Sequence, residues 1–322
     1  MQDILTLITK NVSFTPYDVA WIPASTRVCA IGTTERATGK IAIYTIQDNM
    51  LFLANETETD TAIRCGTLGA ADAHTRQLAT GDFEGQLQLW DTQRMEIPVA
   101  SVKAHDTLIN AIDGAGGVIS PGGARELVTG GRDGFVKVWD TREPTKPVFT
   151  VRPHQETSPQ DVWCVAFGNI DNGTQRLVAV GYANGDIKLF DLTASKYIWE
   201  THVNEGVCSI EFSTTPWDQL TVSTLGGLYV LRLSTGKSTK LNTPVDVTFW
   251  SACHCPQVPD LLAVAGGDGE LRLWKGGENS PAATTSVSKH PIVSLDWNRD
   301  KKGLFVCSSF DQTLRLGLVR GI

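Results

Sequence analysis

One short strand pattern recurs seven times along this chain, and it constrains the fold more than any other feature. The copies read GKIAIYTI, GQLQLWDT, GFVKVWDT, GDIKLFDL, GLYVLRLS, GELRLWKG and QTLRLGLV, and they begin at Gly39, Gly85, Gly134, Gly185, Gly227, Gly269 and Gln312. Successive copies lie 42 to 51 residues apart, close to the ~40–45 residues of one four-stranded propeller blade. A blade cannot bury both of its own faces, so the blades must stack into a ring. The repeat therefore predicts an all-β fold, a single seven-bladed β-propeller over residues 1–322, and a binding platform rather than an enzyme.

Each copy has the alternation of a strand. Residues two and four after the glycine are apolar, as in Val136 and Val138, and this period of two indicates a strand with one face against a neighbouring blade. Lys or Arg often lies between them, as at Arg272 and Arg315, and we expect these stems to cover apolar surface while the charged heads reach water. A second apolar strand precedes each copy, and Asp-Gly or Asn-Gly turns join the two as hairpins.

The last copy stops three residues before the end of the chain and leaves no room for its own fourth strand. The apolar residues 4–8, ILTLI, are the candidate to supply that strand and so close the ring with the N-terminal segment. The longest connections, Asn49–Thr61 and Gly277–Ser288, read as solvated loops.

Charge and composition narrow the function. The net charge is −7, with no basic stripe interleaved with aromatic residues, which argues against nucleic-acid binding. No signal peptide and no apolar stretch long enough to span a bilayer are visible. We therefore expect a cytoplasmic protein that binds neither nucleic acid nor membrane.

The seven cysteines are odd in number and lie in apolar strands, so we expect small buried hydrophobic residues in a reducing compartment. Cys253-His254-Cys255 has no second Cys/His pair at zinc-site spacing, and we expect no metal there. The glycines of Gly114–Gly117 and Gly122–Gly123 precede no helix pattern, so they read as a flexible turn, and we expect no cofactor.

The third blade holds His105, Thr129, Asp133 and Trp139. These residue types could form a catalytic triad in which the histidine activates the threonine. WD-repeat blades often join the same types in a structural relay, because a buried indole N–H needs an acceptor that a threonine hydroxyl supplies. The relay is the favoured interpretation. Blade two keeps Thr80 and Trp90, whereas blade five has Arg232 at the tryptophan position.

The turns between the second and third strands of the blades should emerge on one side, here called the turn face. Aromatic and arginine side chains at this face are candidate binding hot spots. The candidate protein-binding residues are Phe83, Arg132, Trp163, Tyr182, Trp250 and Phe310.

Non-repeat segments over nearly the whole chain carry a more specific resemblance. They include CGTLGA (65–70), LATGDFEG (78–85), INAIDGAGG (109–117), VTGGRDGFVKVWD (128–140), VAFGN (165–169), GYANGDIKLFDL (181–192), GVCSIEF (206–212) and CSSFDQTLR (307–315). With these segments the chain resembles the Monad family of WD-repeat axonemal dynein assembly factors. The chain differs most from this family in blade five after Phe212 and over residues 238–259.

The resemblance implies a cytoplasmic adaptor with an association to the cilium or flagellum, and we expect the protein to be a monomer. Its implied partners are a co-chaperone complex of RuvB-like ATPases, a tetratricopeptide adaptor and prefoldin-like subunits. The implied clients are axonemal dynein heavy chains. No family binding motif transfers residue by residue, so the candidate sites rest on propeller geometry.

Two alternatives stay open. Trp139-Asp140-Thr141-Arg142 has the W-D-x-R form of substrate receptors of cullin-type ubiquitin ligases. A propeller enzyme would need titratable groups at the inner strand ends, where Val, Ile, Ala, Cys and Trp dominate.

Overall fold

The computed structural model describes residues 3–72, 76–117, 124–152, 159–168, 176–213 and 218–322. Within these residues the strands form seven four-stranded antiparallel sheets. The first four blades are β2 Thr15–Trp21, β3 Arg27–Thr33, β4 Gly39–Gln47 and β5 Met50–Thr59; β6 Ile63–Thr67, β7 Leu78–Asp82, β8 Gln86–Trp90 and β9 Ala100–Lys103; β10 Ile109–Ala115, β11 Glu126–Gly131, β12 Val136–Asp140 and β13 Phe149–Val151; and β14 Val162–Gly168, β15 Leu177–Tyr182, β16 Asp186–Asp191 and β17 Lys196–His202.

The remaining strands follow the same order. They are β18 Val207–Phe212, β19 Gln219–Thr224, β20 Gly227–Arg232 and β21 Lys237–Lys240; β22 Phe249–Cys255, β23 Val258–Gly266, β24 Glu270–Lys275 and β25 Ala283–Ser286; and β26 Ile292–Trp297, β27 Leu304–Ser309 and β28 Thr313–Arg320. Six sheets follow chain order strand by strand. Seven such sheets are the blades of a seven-bladed β-propeller, and the predicted fold class is confirmed.

The seventh blade takes its fourth strand from the other end of the chain. β1, Asp3–Asn11, pairs antiparallel with β28, with Ile4 opposite Val319 and Asn11 opposite Thr313. The N-terminal strand is therefore confirmed, and it is longer than the predicted residues 4–8. The paired strand includes residues 4–8 and extends beyond them at both ends.

The contacts divide the chain into two compact units. The first comprises Met1–Arg36, Lys40–Glu56 and Glu211–Ile322, and the second Ala37–Gly39 and Thr57–Ile210. Apolar residues fill each unit between adjacent sheets. In the second unit Val128 and Val138 of blade three pack with Val178 and Phe190 of blade four. A single domain over residues 1–322 stays a prediction.

Two expectations about polar segments were wrong. The segment Asn49–Thr61 is mostly the ten-residue strand β5, and Gly277–Ser288 contains β25. Both are outer strands that pair along one edge only, so backbone hydrogen bonds maintain them and their side chains can be polar. Thr38 Oγ1 donates to Glu58 Oε1 at 2.5 Å and so ties the β5 end to the β3–β4 turn.

The expectation that every strand-centre arginine reaches water was also wrong. The Arg272 side chain is only 3% exposed, and its Nη2 lies 2.5 Å from Asp268 Oδ2 and 2.6 Å from Glu270 Oε2. Arg315 pairs in the same way with Asp311 at 2.5 Å. A buried guanidinium needs such partners because its desolvation is costly.

Among the described residues, no helix is long and apolar enough to cross a membrane.

Candidate functional site

The four polar residues of blade three form one continuous hydrogen-bonded chain. Trp139 Nε1 donates to Thr129 Oγ1 at 3.0 Å, and Thr129 Oγ1 lies 2.8 Å from His105 Nε2. His105 Nδ1 lies 2.9 Å from Asp133 Oδ1. Gly131 is required beside the ring, since a Cβ there would lie 2.3 Å from His105 Nδ1.

The chain of bonds is closed to solvent. His105 is 1% exposed and Thr129 is fully buried, so a substrate has no route to the hydroxyl. Burial raises the pKa of Asp133, but the hydrogen bond and charge of His105 and the backbone N–H groups of Phe135 and Asp106 outweigh it, and the pKa lies below its usual value. This geometry supports a structural relay over a triad.

Other blades carry shortened forms of the relay. In blade two Trp90 Nε1 donates to Thr80 Oγ1 at 2.9 Å. In blade six Val264 occupies the place of Thr129, since it pairs with Arg272 as Thr129 pairs with Lys137. Among the residues that the structure describes, the buried Nε1 of Trp274 consequently has no hydrogen-bond partner.

Blade five differs from the position that the repeat pattern predicts for Arg232. Leu231 lies opposite Leu220, as Trp139 lies opposite Leu127, so Leu231 and not Arg232 is at the tryptophan position. The assignment of Arg232 to that position was wrong. The hairpin of blade five is shorter, which moves the strand register after the turn, and Arg232 lies beyond the apolar position and is exposed.

The turn-face residues of the second unit differ in how far they are exposed to solvent. Phe83 is 40% exposed. The Arg132 side chain is 65% exposed, with its Nε 3.4 Å from Asp161 Oδ2. Trp163 is half-buried, and a Cβ on Gly206 would lie 2.7 Å from its Cζ3.

Tyr182 is a correction to the predicted set. It is 7% exposed and packs in the apolar cluster between blades three and four. Burial raises the pKa of its hydroxyl. As the last residue of β15 it takes the place of Gly131 in blade three, and its ring turns into the sheet interface rather than to solvent, so it is not a surface anchor.

The first unit has its own turn-face aromatic residues. Phe310 is 39% exposed and meets Tyr17 edge-on, with ring centroids 6.2 Å apart. Trp250 is half-buried beside Gly267, where a Cβ would lie 3.3 Å from the indole Nε1. Each unit therefore carries its own turn-face aromatic residues.

The W-D-x-R segment lies at the other end of β12 from the turn face. Arg142 Nε lies 2.9 Å from Asp140 Oδ1, and its Nη2 lies 2.5 Å from Asp140 Oδ2. The hydrogen bonds from Arg142 lower the pKa of Asp140 to about 2. The side chain of Arg142 is 64% exposed, so it is accessible although paired.

Comparison with known proteins agrees with the repeat pattern. The family model described as WD domain, G-beta repeat matches residues 96–140, the stretch that holds the complete relay. Proteins named Dynein axonemal assembly factor 10 are similar over 98% of this chain and 96% of their own length; the chain is 42% identical to those of Homo sapiens and Danio rerio and 37% identical to that of Chlamydomonas reinhardtii. The chain belongs to the dynein axonemal assembly factor 10 family. The resemblance drawn from the sequence segments is confirmed.

In this member of the dynein axonemal assembly factor 10 family, sequence reasoning missed a set of acidic clasps between blades. Asp113 Oδ2 accepts the backbone N–H of Phe167 at 2.8 Å. Glu211 Oε2 accepts that of His254 at 2.8 Å, and Asp296 Oδ2 that of Trp21 at 2.7 Å. One sequence signal could have predicted these clasps. The first strands of blades three, five and seven carry an acidic residue at the same position, in the segments NAIDG, SIEF and SLDW.

The Glu211 clasp has a second bond. Its Oε2 also lies 2.8 Å from His254 Nδ1. Burial lowers the pKa of His254, but the charge and hydrogen bond of Glu211 outweigh it, so the pKa is raised.

None of the seven cysteines, all of which lie in the described residues, forms a disulfide. Three of them reach the next blade through weak bonds: Cys65 Sγ to Ile109 O at 3.5 Å, Cys164 Sγ to Val207 O at 3.6 Å, and Cys253 Sγ to Leu295 O at 3.7 Å. Within the part of the chain that the structure describes, no group of three His, Cys, Asp or Glu side chains is placed to hold a metal ion. Gly122–Gly123 lie outside the described residues.

Proposed function

We propose that this chain is a non-catalytic protein-interaction scaffold for axonemal dynein assembly, acting in the cytoplasm in connection with cilium or flagellum formation. The observation that carries the proposal is the similarity to proteins named Dynein axonemal assembly factor 10 over nearly the full length of both chains. Because the similarity to the algal and the vertebrate proteins extends over nearly the whole of each chain, it concerns the complete fold and not a single WD repeat.

The geometry of blade three favours a scaffold over an enzyme. Catalysis by the Thr129–His105 pair requires that a substrate reach the hydroxyl. Both side chains are buried, and each atom of the pair already has a structural partner. The relay thus has a sufficient explanation in blade stability.

We further propose that partners dock on the turn-face residues. In the second unit these are Phe83, Arg132 and Trp163, and in the first unit Trp250 and Phe310. Their aromatic rings and guanidinium are the side chains most enriched at binding hot spots. The partners we propose are the RuvB-like ATPase and tetratricopeptide co-chaperone complex with its prefoldin-like subunits, and the axonemal dynein heavy chains as clients.

The experiment is an affinity purification of tagged protein from ciliated cells with two arginine variants of the same blade. Arg132→Glu changes the turn face, and Arg142→Glu makes the same charge change at the opposite end of β12. Both side chains are largely exposed, so neither variant should alter stability by more than about 1 kcal/mol. Trp163 is a poorer probe because its ring packs against Gly206.

We expect the wild type and Arg142→Glu to recover dynein heavy chains and RuvB-like ATPases, and Arg132→Glu to lose them. If the wild type recovers neither dynein heavy chains nor RuvB-like ATPases, the scaffold role is contradicted. If all three proteins recover them equally, the docking surface is contradicted but the scaffold role is not. Recovery of a cullin adaptor that Arg142→Glu loses would instead support the ligase receptor.

A further inference from the structure

A cavity of about 580 Å³ opens between blades five and six, and both of its walls lie in the first unit. The blade five wall is the cross-strand row Thr221, Val230 and Thr239. The blade six wall is the facing row His254, Leu262 and Trp274. This volume is within the ~300–1,000 Å³ typical of ligand pockets.

The cavity has a clear origin in the side chains of blade five. The equivalent row of blade three is Val128, Val138 and Phe149. There Phe149 fills the interface, with its ring centroid 5.2 Å from that of Phe190 in blade four. In blade five Thr239 stands in the place of that phenylalanine, so the same space is open and bordered by hydroxyl groups.

Two cations face each other at this wall. The shorter hairpin of blade five places Arg232 directly opposite Lys237 on adjacent strands, and both line the cavity. Like charges directly opposite each other destabilise a sheet. Among the described residues neither side chain makes an ion pair, so an anion bound between them would relieve the repulsion.

The other lining residues indicate which chemical groups a ligand should carry besides its anion. Leu262 and the indole of Trp274 make the blade six wall partly apolar. Asp260 and Glu278 lie on the blade six side together with Lys275, so the lining has three Lys or Arg against two Asp or Glu in a protein of net charge −7. The positive wall is therefore local to blade five.

We propose that this cavity binds an acidic segment of a partner chain, with a carboxylate between Arg232 and Lys237 and a neighbouring apolar side chain on Leu262 and Trp274. An extended peptide fits better than a small carboxylate because the cavity borders β21, the last strand of its sheet, whose four residues are all exposed. The free edge of such a strand can pair with an added one. The site shares no residue with the turn-face groups and does not depend on the dynein role.

Calorimetric titration of the purified full chain tests the proposal. The probe is the peptide acetyl-Leu-Glu-Leu-Glu-Leu-amide. One control is the same peptide with both glutamates replaced by lysine, and the other is the free amino acid glutamate. We expect the acidic peptide alone to bind, with an affinity that falls as salt is added. Arg232→Glu and Lys237→Glu should each weaken binding by about tenfold or more, as the loss of a charged contact does.

Two further variants make the result specific. Lys302→Glu changes the net charge equally at an exposed position of blade seven, and it should bind as the wild type does. Thr239→Phe should fill the cavity, abolish binding and leave the melting temperature equal or higher. Equal binding of the acidic and basic peptides, unchanged affinity in the Arg232 and Lys237 variants, or equally tight binding of free glutamate would each overturn the proposal.

Discussion

The carboxylate of Asp296 accepts a hydrogen bond from the backbone N–H of Trp21 at 2.7 Å and so joins the first strands of blades seven and one. A first strand pairs with its own blade along one edge only, which leaves N–H groups on its other edge in need of acceptors. Asp113 and Glu211 do the same for Phe167 and His254. Side-chain acids thus supply bonds that no sheet ladder can.

The Asp296 clasp should make stability depend on pH. Burial raises the pKa of this carboxyl from 3.8 to about 6, against the lowering effect of the Trp21 N–H and of Arg299. The native protein therefore holds this proton more tightly than the unfolded chain does. The contribution to the free energy of unfolding is largest below pH 4 and falls as pH rises through about 6, with a slope of at most ~1.4 kcal/mol per pH unit.

Asp296→Asn keeps an oxygen for the Trp21 N–H and removes the titration. We expect the variant to show a flatter dependence of the melting temperature on pH between about 4 and 7, and to equal or exceed the wild type at neutral pH. Asp300→Asn, an exposed site in the same blade, is the charge-matched control. Parallel pH profiles for the wild type and Asp296→Asn contradict the assignment.

Relay bonds can be both removed and added. Thr129→Val takes the acceptor from Trp139 Nε1 and should lower the free energy of unfolding by about 1–3 kcal/mol. Val264→Thr offers Trp274 Nε1, which has no partner among the described residues, the acceptor that blade three has, and should raise the free energy of unfolding by about 1 kcal/mol. Chemical denaturation measures both, and a destabilised Val264→Thr protein would show that the hydroxyl cannot reach the indole.

The N-terminal strand offers a matched pair of positions. Ile4 is 4% exposed and packs with Trp297, Phe305 and Val319, whereas Leu7 of the same strand is 51% exposed. Ile4→Ala should cost about 2–5 kcal/mol and Leu7→Ala less than about 0.5 kcal/mol. Equal thermal shifts in the two variants would mean that β1 is not packed in solution as it is here.

The thiols should react slowly while the protein is folded. Burial raises the pKa values of Cys29 and Cys307 to about 12, and that of Cys208 likewise to about 12, so the thiolate that attacks reagents is scarce. With a disulfide-exchange reagent at pH 8 we expect slow labelling, first at the partly exposed Cys208 and Cys253. All seven should react at once in denaturant. A fast stoichiometric reaction of the native protein at any thiol contradicts this prediction.

The repeat was sufficient to predict the fold class, because strand alternation and turn residues such as Asp133-Gly134 are local signals. The N-terminal strand could also be predicted, since the last blade lacked one strand. The register of blade five could not. One missing residue in its turn changes which side chain faces the neighbouring blade, and Leu231 and Arg232 are both acceptable at a strand end.

The candidate surface was predictable in part. Residue type and turn position indicate where Phe83 and Arg132 lie, but Tyr182 follows a strand into an interface that depends on the next blade. The acidic clasps and the cavity were missed for the same reason. The clasps depend on pairs such as Asp296 and Trp21, which are distant in the chain and meet only once the blades are packed. The cavity depends on residues such as Thr239 and Trp274, which face each other only in the packed blades.

The pairing of β1 with β28 has a consequence for synthesis on the ribosome. β1 is translated well before β28, because all the other described strands lie between the two in the chain. At ~5–20 residues per second, the nascent chain carries an unpaired apolar strand for tens of seconds. During that interval β1 can pair with other chains, so the last blade is completed only after the chain has been made as far as β28.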